Sequence, residues 1–160
     1  MNMKILKLLS DNAKYSTADI AAMCGITKQE AKQTVEDLEK QGIIRGYKAV
    51  IDWDSTDEVY VSALIELNVT PQDDVGFEEI AEQIMRYREV ESVYLMSGGY
   101  DLCVIVKDKT FKQVASFVSR ELATMKGVVS TATHFMLRRY KELNIELCGS
   151  YEDDRGQVSL

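Results

Sequence analysis

The chain is poor in the residues that catalysis and metal binding usually draw on: it has one histidine, one proline and three cysteines in 160 residues. Cys24, Cys103 and Cys148 are odd in number, far apart and free of any C-x-x-C pair, which excludes a disulfide framework and a zinc site. Cys24 and Cys103 sit in apolar patterns and read as small core residues, whereas Cys148 lies near a polar end and reads as an exposed thiol. His134, in Thr133-His134-Phe135, has no neighbouring acid in sequence to orient it as a general base. No nucleophile motif and no phosphate-binding glycine loop is present, so no enzyme is expected. Asp73-Asp74 and Glu78-Glu79 read as a loop and a helix start that favours negative charge, so neither metal nor cofactor is expected. Long apolar runs are missing as well, and no secretory pattern follows Met1, which points to a reducing cytoplasm and no membrane partner. Basic excess is also lacking. A net charge of −7 argues against sequence-independent wrapping of nucleic acid, which depends on neutralising phosphates.

The charge is uneven: residues 1–50 carry a balance of +2 and the remainder −9. In the less acidic part, Ser16-Thr17-Ala18-Asp19 and Thr27-Lys28-Gln29-Glu30 both have capping-box spacing, in which a hydroxyl takes a backbone N–H and an acid three residues on returns the bond. Two helix starts are marked. Between them Ala21 permits close approach of helices, and Gly25 falls where a tight turn needs positive φ. The spacing predicts a second helix from about Lys28 to Gln41, ended by Gly42, after which Ile43-Ile44 returns to the core. At 100° per residue, Ala31, Val35 and Leu38 share its inner face, and Gln29, Gln33, Glu36 and Lys40 lie opposite, with Lys28 and Lys32 on the flank. With the preceding Ile5-Leu6-x-Leu8-Leu9 helix, this is the pattern of a DNA-reading helix-turn-helix. Glutamine bonds adenine N6 and N7 in the major groove, Glu36 can accept from cytosine N4, and the lysines suit phosphates.

From Val59 the period changes to strict alternation: Val59, Val61, Ala63, Ile65, Leu67 and Val69 are apolar. Pro71 and Asp73-Asp74 break this strand, and Phe77, Ile80, Ala81, Ile84 and Arg88 follow at helical spacing, Arg88 closing the stripe. Strands over Val90 to Met96 and Tyr100 to Lys107 flank Gly98-Gly99, a dipeptide suited to a tight hairpin with positive φ. Thr110 caps a second helix whose buried stripe is Phe111, Val114, Ala115, Val118 and Leu122; Gly127 ends it, and a strand runs from Val128 to about Tyr140. The order β-α-β-β-α-β predicts a ferredoxin-like body, two helices on one face of an antiparallel sheet. Leu64, Tyr94, Met96, Ile105 and Met136 make the other face apolar too, which implies cover by a second copy.

The expected class is therefore α+β: a winged/helix-turn-helix three-helix domain over 1–50, a linker over 51–56, a ferredoxin-like domain over 57–147 and an acidic, disordered tail over 148–160. Gly42 to Asp57 holds Tyr47, Ala49, Val50 and Ile51, apolar enough to form a strand.

This head and body together resemble the Lrp/AsnC, or feast/famine, family of transcription regulators. Ile5-Leu6-x-x-Leu9, Ile20-Ala21, Gly25-Ile26-Thr27, Leu38-Glu39-x-x-Gly42-x-Ile44-x-Gly46-Tyr47 and Gly98-x-Tyr100-Asp101 carry the resemblance over about residues 3 to 141. The family implies a sequence-specific DNA-binding dimer, assembling further through a RAM/ACT-like body and commonly responding to an amino acid. Its effectors tend to bind near the turn that is here Ser97-Gly98-Gly99-Tyr100-Asp101. Glycine N–H groups there suit a carboxylate and Asp101 an ammonium, and Thr131 and Thr133 are added as polar contacts. Two features depart from the family. The second half of the recognition helix carries Thr34, Glu36 and Asp37 where basic residues are usual, and Asn2 stands in for an acidic cap ahead of the first helix. Lys32 and Lys40 flank Glu36 at i±4 and soften its charge, so each head is expected to bind DNA weakly and to need its assembly. The competing reading is an oligomeric amino-acid sensor whose helix-turn-helix no longer reads DNA.

Overall fold

The computed structural model describes residues 3–70 and 76–147. The expectations for Asn2, for the strand break at Pro71 and Asp73-Asp74, for Cys148 and for the acidic tail lie outside those residues. The chain divides into two compact units, residues 1–49 and 50–160.

The first unit is three helices: α1 (Met3–Asp11), α2 (Thr17–Cys24) and α3 (Lys28–Lys40). Both capping boxes form. Asp19 N donates to Ser16 Oγ at 3.2 Å while Ser16 N donates to Asp19 Oδ2 at 2.9 Å; Glu30 N and Thr27 Oγ1, at 3.2 Å, and Thr27 N and Glu30 Oε2, at 2.8 Å, repeat the exchange. Gly25 has φ +69, a left-handed conformation in which its N–H and that of Ile26 return to the carbonyls of the last turn of α2. α3 stops the same way at Gly42, φ +67, with Ile43 N donating to Leu38 O at 3.0 Å. These stops aim α1, α2 and α3 at one small core of Ile5, Ile20, Ala21, Ala31 and Leu38, closed by Leu6, Leu9, Val35 and Ile44. The apolar run around Val50 and Ile51 is not a strand. A strand needs a neighbouring ladder, and this segment has none among the described residues; the chain instead makes a 3₁₀ turn at Trp53–Ser55, held by Ser55 Oγ donating to Asp52 Oδ2 at 2.6 Å.

The second unit contains β1 (Val61–Val69), α4 (Phe77–Ile84), β2 (Val90–Leu95), β3 (Leu102–Asp108), α5 (Phe111–Phe117) and β4 (Val128–Phe135), followed by a small hairpin of β5 (Lys141–Glu142) and β6 (Ile145–Glu146). The sheet order is β2-β3-β1-β4 with every pair antiparallel, the ferredoxin-like arrangement. Val61, Ala63, Ile65, Leu67 and Val69 alternate onto the helix-covered face and meet Ile80, Ile84, Val114, Phe117, Val118 and Leu122. Gly127 has φ +91, and a Cβ there would stand 2.9 Å from Ile80 Cδ1. Only glycine lets the chain re-enter the sheet this close to α4.

Several element ends differ from the sequence expectation. Val59 precedes β1 and is exposed. α4 ends at Ile84, and Arg88 lies beyond it, exposed and bonded to Glu89; leaving the helix early lets the Tyr87 ring meet Phe117 edge-on at 5.2 Å. In α5 neither Phe111 nor Ala115 is buried, and Phe117 takes the place of Ala115. The helix widens into a π turn over Val118–Leu122, where Ala123 N reaches Val118 O at 2.8 Å, so the inward positions drift from a regular 3.6-residue spacing. β4 stops at Phe135, not Tyr140, because its ladder partner β1 runs out: Ala63 pairs Phe135 and Met136 N takes Ser62 O, the last contact of that kind. The β5-β6 hairpin has little signal in the sequence. Its two-residue turn, Leu143-Asn144, has φ +44 and +67, the signs of a type I′ turn, and only Asn144 is a residue type that advertises it.

Candidate nucleic-acid interface and effector turn

α3 presents the outer face expected of it. Lys28, Gln29, Lys32, Gln33 and Lys40 are exposed and Glu36 is half-buried, while Ala31 and Leu38 point into the core. Lys32 Nζ lies 3.7 Å from Glu36 Oε1; among the described residues no ion pair joins Lys40 to Glu36, so one of the two flanking lysines answers that charge. Gln33 Nε2 donates to Asp37 Oδ1 at 2.9 Å, and Thr34 Oγ1 turns inward to Glu30 O at 2.8 Å. Behind the helix, Tyr47 Oη donates to Glu39 Oε1 at 2.8 Å and ties the outgoing chain to the last turn of α3. Hydrogen bonds from Ser16 to Asp19 and from Thr27 to Glu30 hold both carboxyls below their ordinary range, so the caps are ionised and at full strength at neutral pH.

In the second unit, Ser97, Gly98 and Gly99 are exposed in the connection between β2 and β3, with Tyr100 and Asp101 half-buried behind them. Neither glycine has a left-handed φ, contrary to the tight-hairpin expectation: six residues separate Leu95 from Leu102, enough to reverse the chain without a primed turn. A Cβ on either glycine would meet nothing within 4 Å. Asp101 is committed within the chain. Its Oδ2 accepts from Val69 N at 2.7 Å, its N–H donates to Leu67 O at 3.0 Å and its carbonyl accepts from Met96 N at 2.8 Å, so it pins the turn to β1. Thr131 and Thr133 are not brought to the turn. They pair with Leu67 and Ile65, on the far side of β1 from β3 and on the helix-covered face, about two strand spacings, or ~10 Å, from Leu102 and Val104.

The helix-free face holds groups that local sequence did not single out. Glu66 pairs across with Cys103 on one side and Ala132 on the other, and its Oε1 lies 3.3 Å from His134 Nε2, which supplies the acid that the histidine lacks in sequence. Tyr100 hydrogen-bonds Cys103; burial pushes both the phenol and the thiol up from their ordinary values, so both stay protonated at neutral pH. Asn68 Nδ2 donates to Ser130 Oγ at 3.0 Å in the same row. The signal was present in the alternate positions of β1, but it becomes legible only once the register names their partners. Leu64 and Ile105 are half-buried and Tyr94 and Met96 exposed on this side. Among the described residues no group of three acidic, cysteine or histidine side chains is placed to hold a metal, and no helix is long and apolar enough to cross a membrane.

Comparison with known proteins places this geometry. The family model of the Lrp/AsnC ligand binding domain matches residues 62–145, more than half of the chain, and that of the winged helix-turn-helix DNA-binding domain matches residues 2–45. The chain belongs to the Lrp/AsnC family. It is thus a DNA-binding transcription regulator with a ligand-binding domain, in a family of regulators and not of enzymes. The uncharacterized HTH-type transcriptional regulator YugG of Bacillus subtilis is 48% identical over 86% of this chain and 84% of its own length. The leucine-responsive regulatory protein of Haemophilus influenzae is 26% identical over 90% of this chain and 86% of its own. A transcriptional regulator of Neisseria meningitidis, solved in complex with L-methionine, shares the fold at a TM-score of 0.69, with 22% identity over 88% of this chain and 90% of its own.

Proposed function

We propose that this regulator reads its operator with the outer face of α3 and answers an amino acid bound at the turn over residues 97–101. In the DNA-bound state Gln29 and Gln33 face base edges, Lys28, Lys32 and Lys40 face phosphates, and Glu36 faces a base or is neutralised by Lys32. The observation that carries the reading is the doubly capped α2–α3 pair with its polar outer face left free by the core. Glu36 and Asp37 keep each head weak on its own, so two heads must act together.

At the turn, Gly98 and Gly99 answer to no backbone or packing need inside the chain, which leaves their N–H groups open to the close approach of a carboxylate. Tyr100 lines the same turn. Asp101 holds the turn through one carboxylate oxygen, and Thr131 and Thr133 lie on the other side of β1 from it. The L-methionine complex of the Neisseria relative supports an amino acid as the class of effector. The helix-free face, with Leu64, Tyr94, Met96, Ile105 and Met136, is the surface for a second copy in the cytoplasm. An effector that favours one assembly over another changes which half-sites two heads reach together.

A gel-shift titration of the full-length protein on DNA from its own upstream region, with unrelated competitor and a panel of free amino acids, tests this. Specific retardation that one amino acid alters is expected. An oligomer that binds an amino acid by calorimetry yet retards no DNA would replace the reading with that of a sensor without an operator, the reading Glu36 and Asp37 favour.

A further inference from the structure

The acids in the second half of α3 look adverse to DNA, since a carboxylate near phosphates weakens binding to every sequence alike. One of them is engaged in a way that gives it a use. Gln33 Nε2 donates to Asp37 Oδ1 at 2.9 Å, one helical turn on, between an exposed glutamine and a half-buried aspartate. A free glutamine amide turns about its last bond and offers its oxygen and nitrogen in either order. A carboxylate only accepts, so Asp37 selects the order with the nitrogen toward the helix C-terminus. That single bond leaves the second N–H of Gln33 and both lone pairs of its Oε1 unspent. One donor beside one acceptor is what adenine needs at N7 and N6, and the reversed order would set oxygen against N7. No bond of this kind holds Gln29 among the described residues, so the two glutamines of the face are not equivalent.

We propose that Asp37 is a positioning residue that fixes the amide of Gln33 for reading one adenine in the major groove, so that an acid that lowers affinity for DNA in general raises discrimination at one base pair. This rests on the reading that the outer face of α3 meets DNA. It separates charge from hydrogen bonding, because Asp37→Ala and Asp37→Asn remove the same charge while only the asparagine keeps an acceptor, Oδ1, within reach.

The test uses full-length protein and a duplex selected by the wild type from a random pool, with each base pair then substituted in turn, and helical content checked by circular dichroism. Both Asp37 variants should bind unrelated DNA more tightly than the wild type. Asp37→Ala should lose about tenfold in preference for A·T at one position, the position at which Gln33→Ala loses its preference, while Asp37→Asn retains it. Equal preference in wild type, Asp37→Ala and Asp37→Asn, with Gln33→Ala still losing it, would overturn the positioning role alone. A Gln33→Ala protein that discriminates at every position like the wild type, or failure of the wild type to select any sequence, would overturn the reading of the helix face and the inference with it.

Discussion

The two units are held together in different ways. Among the described residues of the first, the side-chain hydrogen bonds span eight residues or fewer, from the capping boxes to Tyr47 and Glu39. In the second, Asp101 reaches Val69, Asn68 reaches Ser130 and Arg139 reaches Ser62, spans of 32, 62 and 77 residues. The head presents its candidate contacts on one helix whose ends are set locally, so their geometry is intact wherever that helix is intact. The body's candidate site is one contiguous turn, residues 97–101, but Asp101 anchors it to β1 through Val69, so its position depends on the packing of the sheet. A regulator gains from this division: the reading surface stays constant while the sensing surface is coupled to the packing of its domain.

The largest effect that sharpens the contrast belongs to the body core. Ile80, fully buried beneath Gly127, touches the packing of α4 against the sheet. Ile80→Ala should cost about 2–5 kcal/mol, read from urea unfolding followed at Trp53, the single tryptophan and a residue of the second unit. Next comes Asp101→Ala, which strips the partly buried Val69 N–H of its acceptor and should cost about 1–3 kcal/mol in the same assay. Asp101→Asn keeps an acceptor and should recover most of that loss. An Asp101→Asn protein that is fully stable but no longer binds an amino acid would return Asp101 to the ammonium role and blur the contrast drawn here.

In the head the effects are smaller and local. Thr27→Ala removes the cap of α3 and should cost about 1 kcal/mol, seen as a lower helix melting midpoint with the Trp53 transition unmoved. The smallest effect is on pH. Because Asp19 and Glu30 titrate below their ordinary values when folded, their stabilisation is complete above the ordinary carboxylate range and is lost as pH falls through the lowered values. Helicity at 222 nm should therefore decline on the acid side, and Asp19→Asn with Glu30→Gln should flatten that decline. An unchanged slope would show that the boxes contribute nothing to it.

The same division explains what was legible in the sequence. Ser16, Asp19, Thr27, Glu30, Gly25 and Gly42 each state a local rule, and each rule is obeyed in place. The order of elements follows from the periods, but their ends do not: β4 is cut short by the length of β1, and α5 is distorted by a π turn that no residue announces. At the turn, Gly98-Gly99 suggests a conformational need that the six-residue connection does not have. Asp101, Thr131 and Thr133 share a polar chemistry, and the register places the two threonines on the far side of β1. His134 lacked an acid along the chain and gained Glu66 across it.

The central claim is that the outer face of α3 meets phosphate and base, and Glu36→Lys tests it most directly. On a duplex selected by the wild type, affinity is measured by anisotropy at several salt concentrations. If the face meets DNA, the variant binds unrelated sequences more tightly, and the slope of log K against log salt steepens by about 1 for one added phosphate contact. Unchanged affinity and slope would contradict the account and place the DNA on another surface.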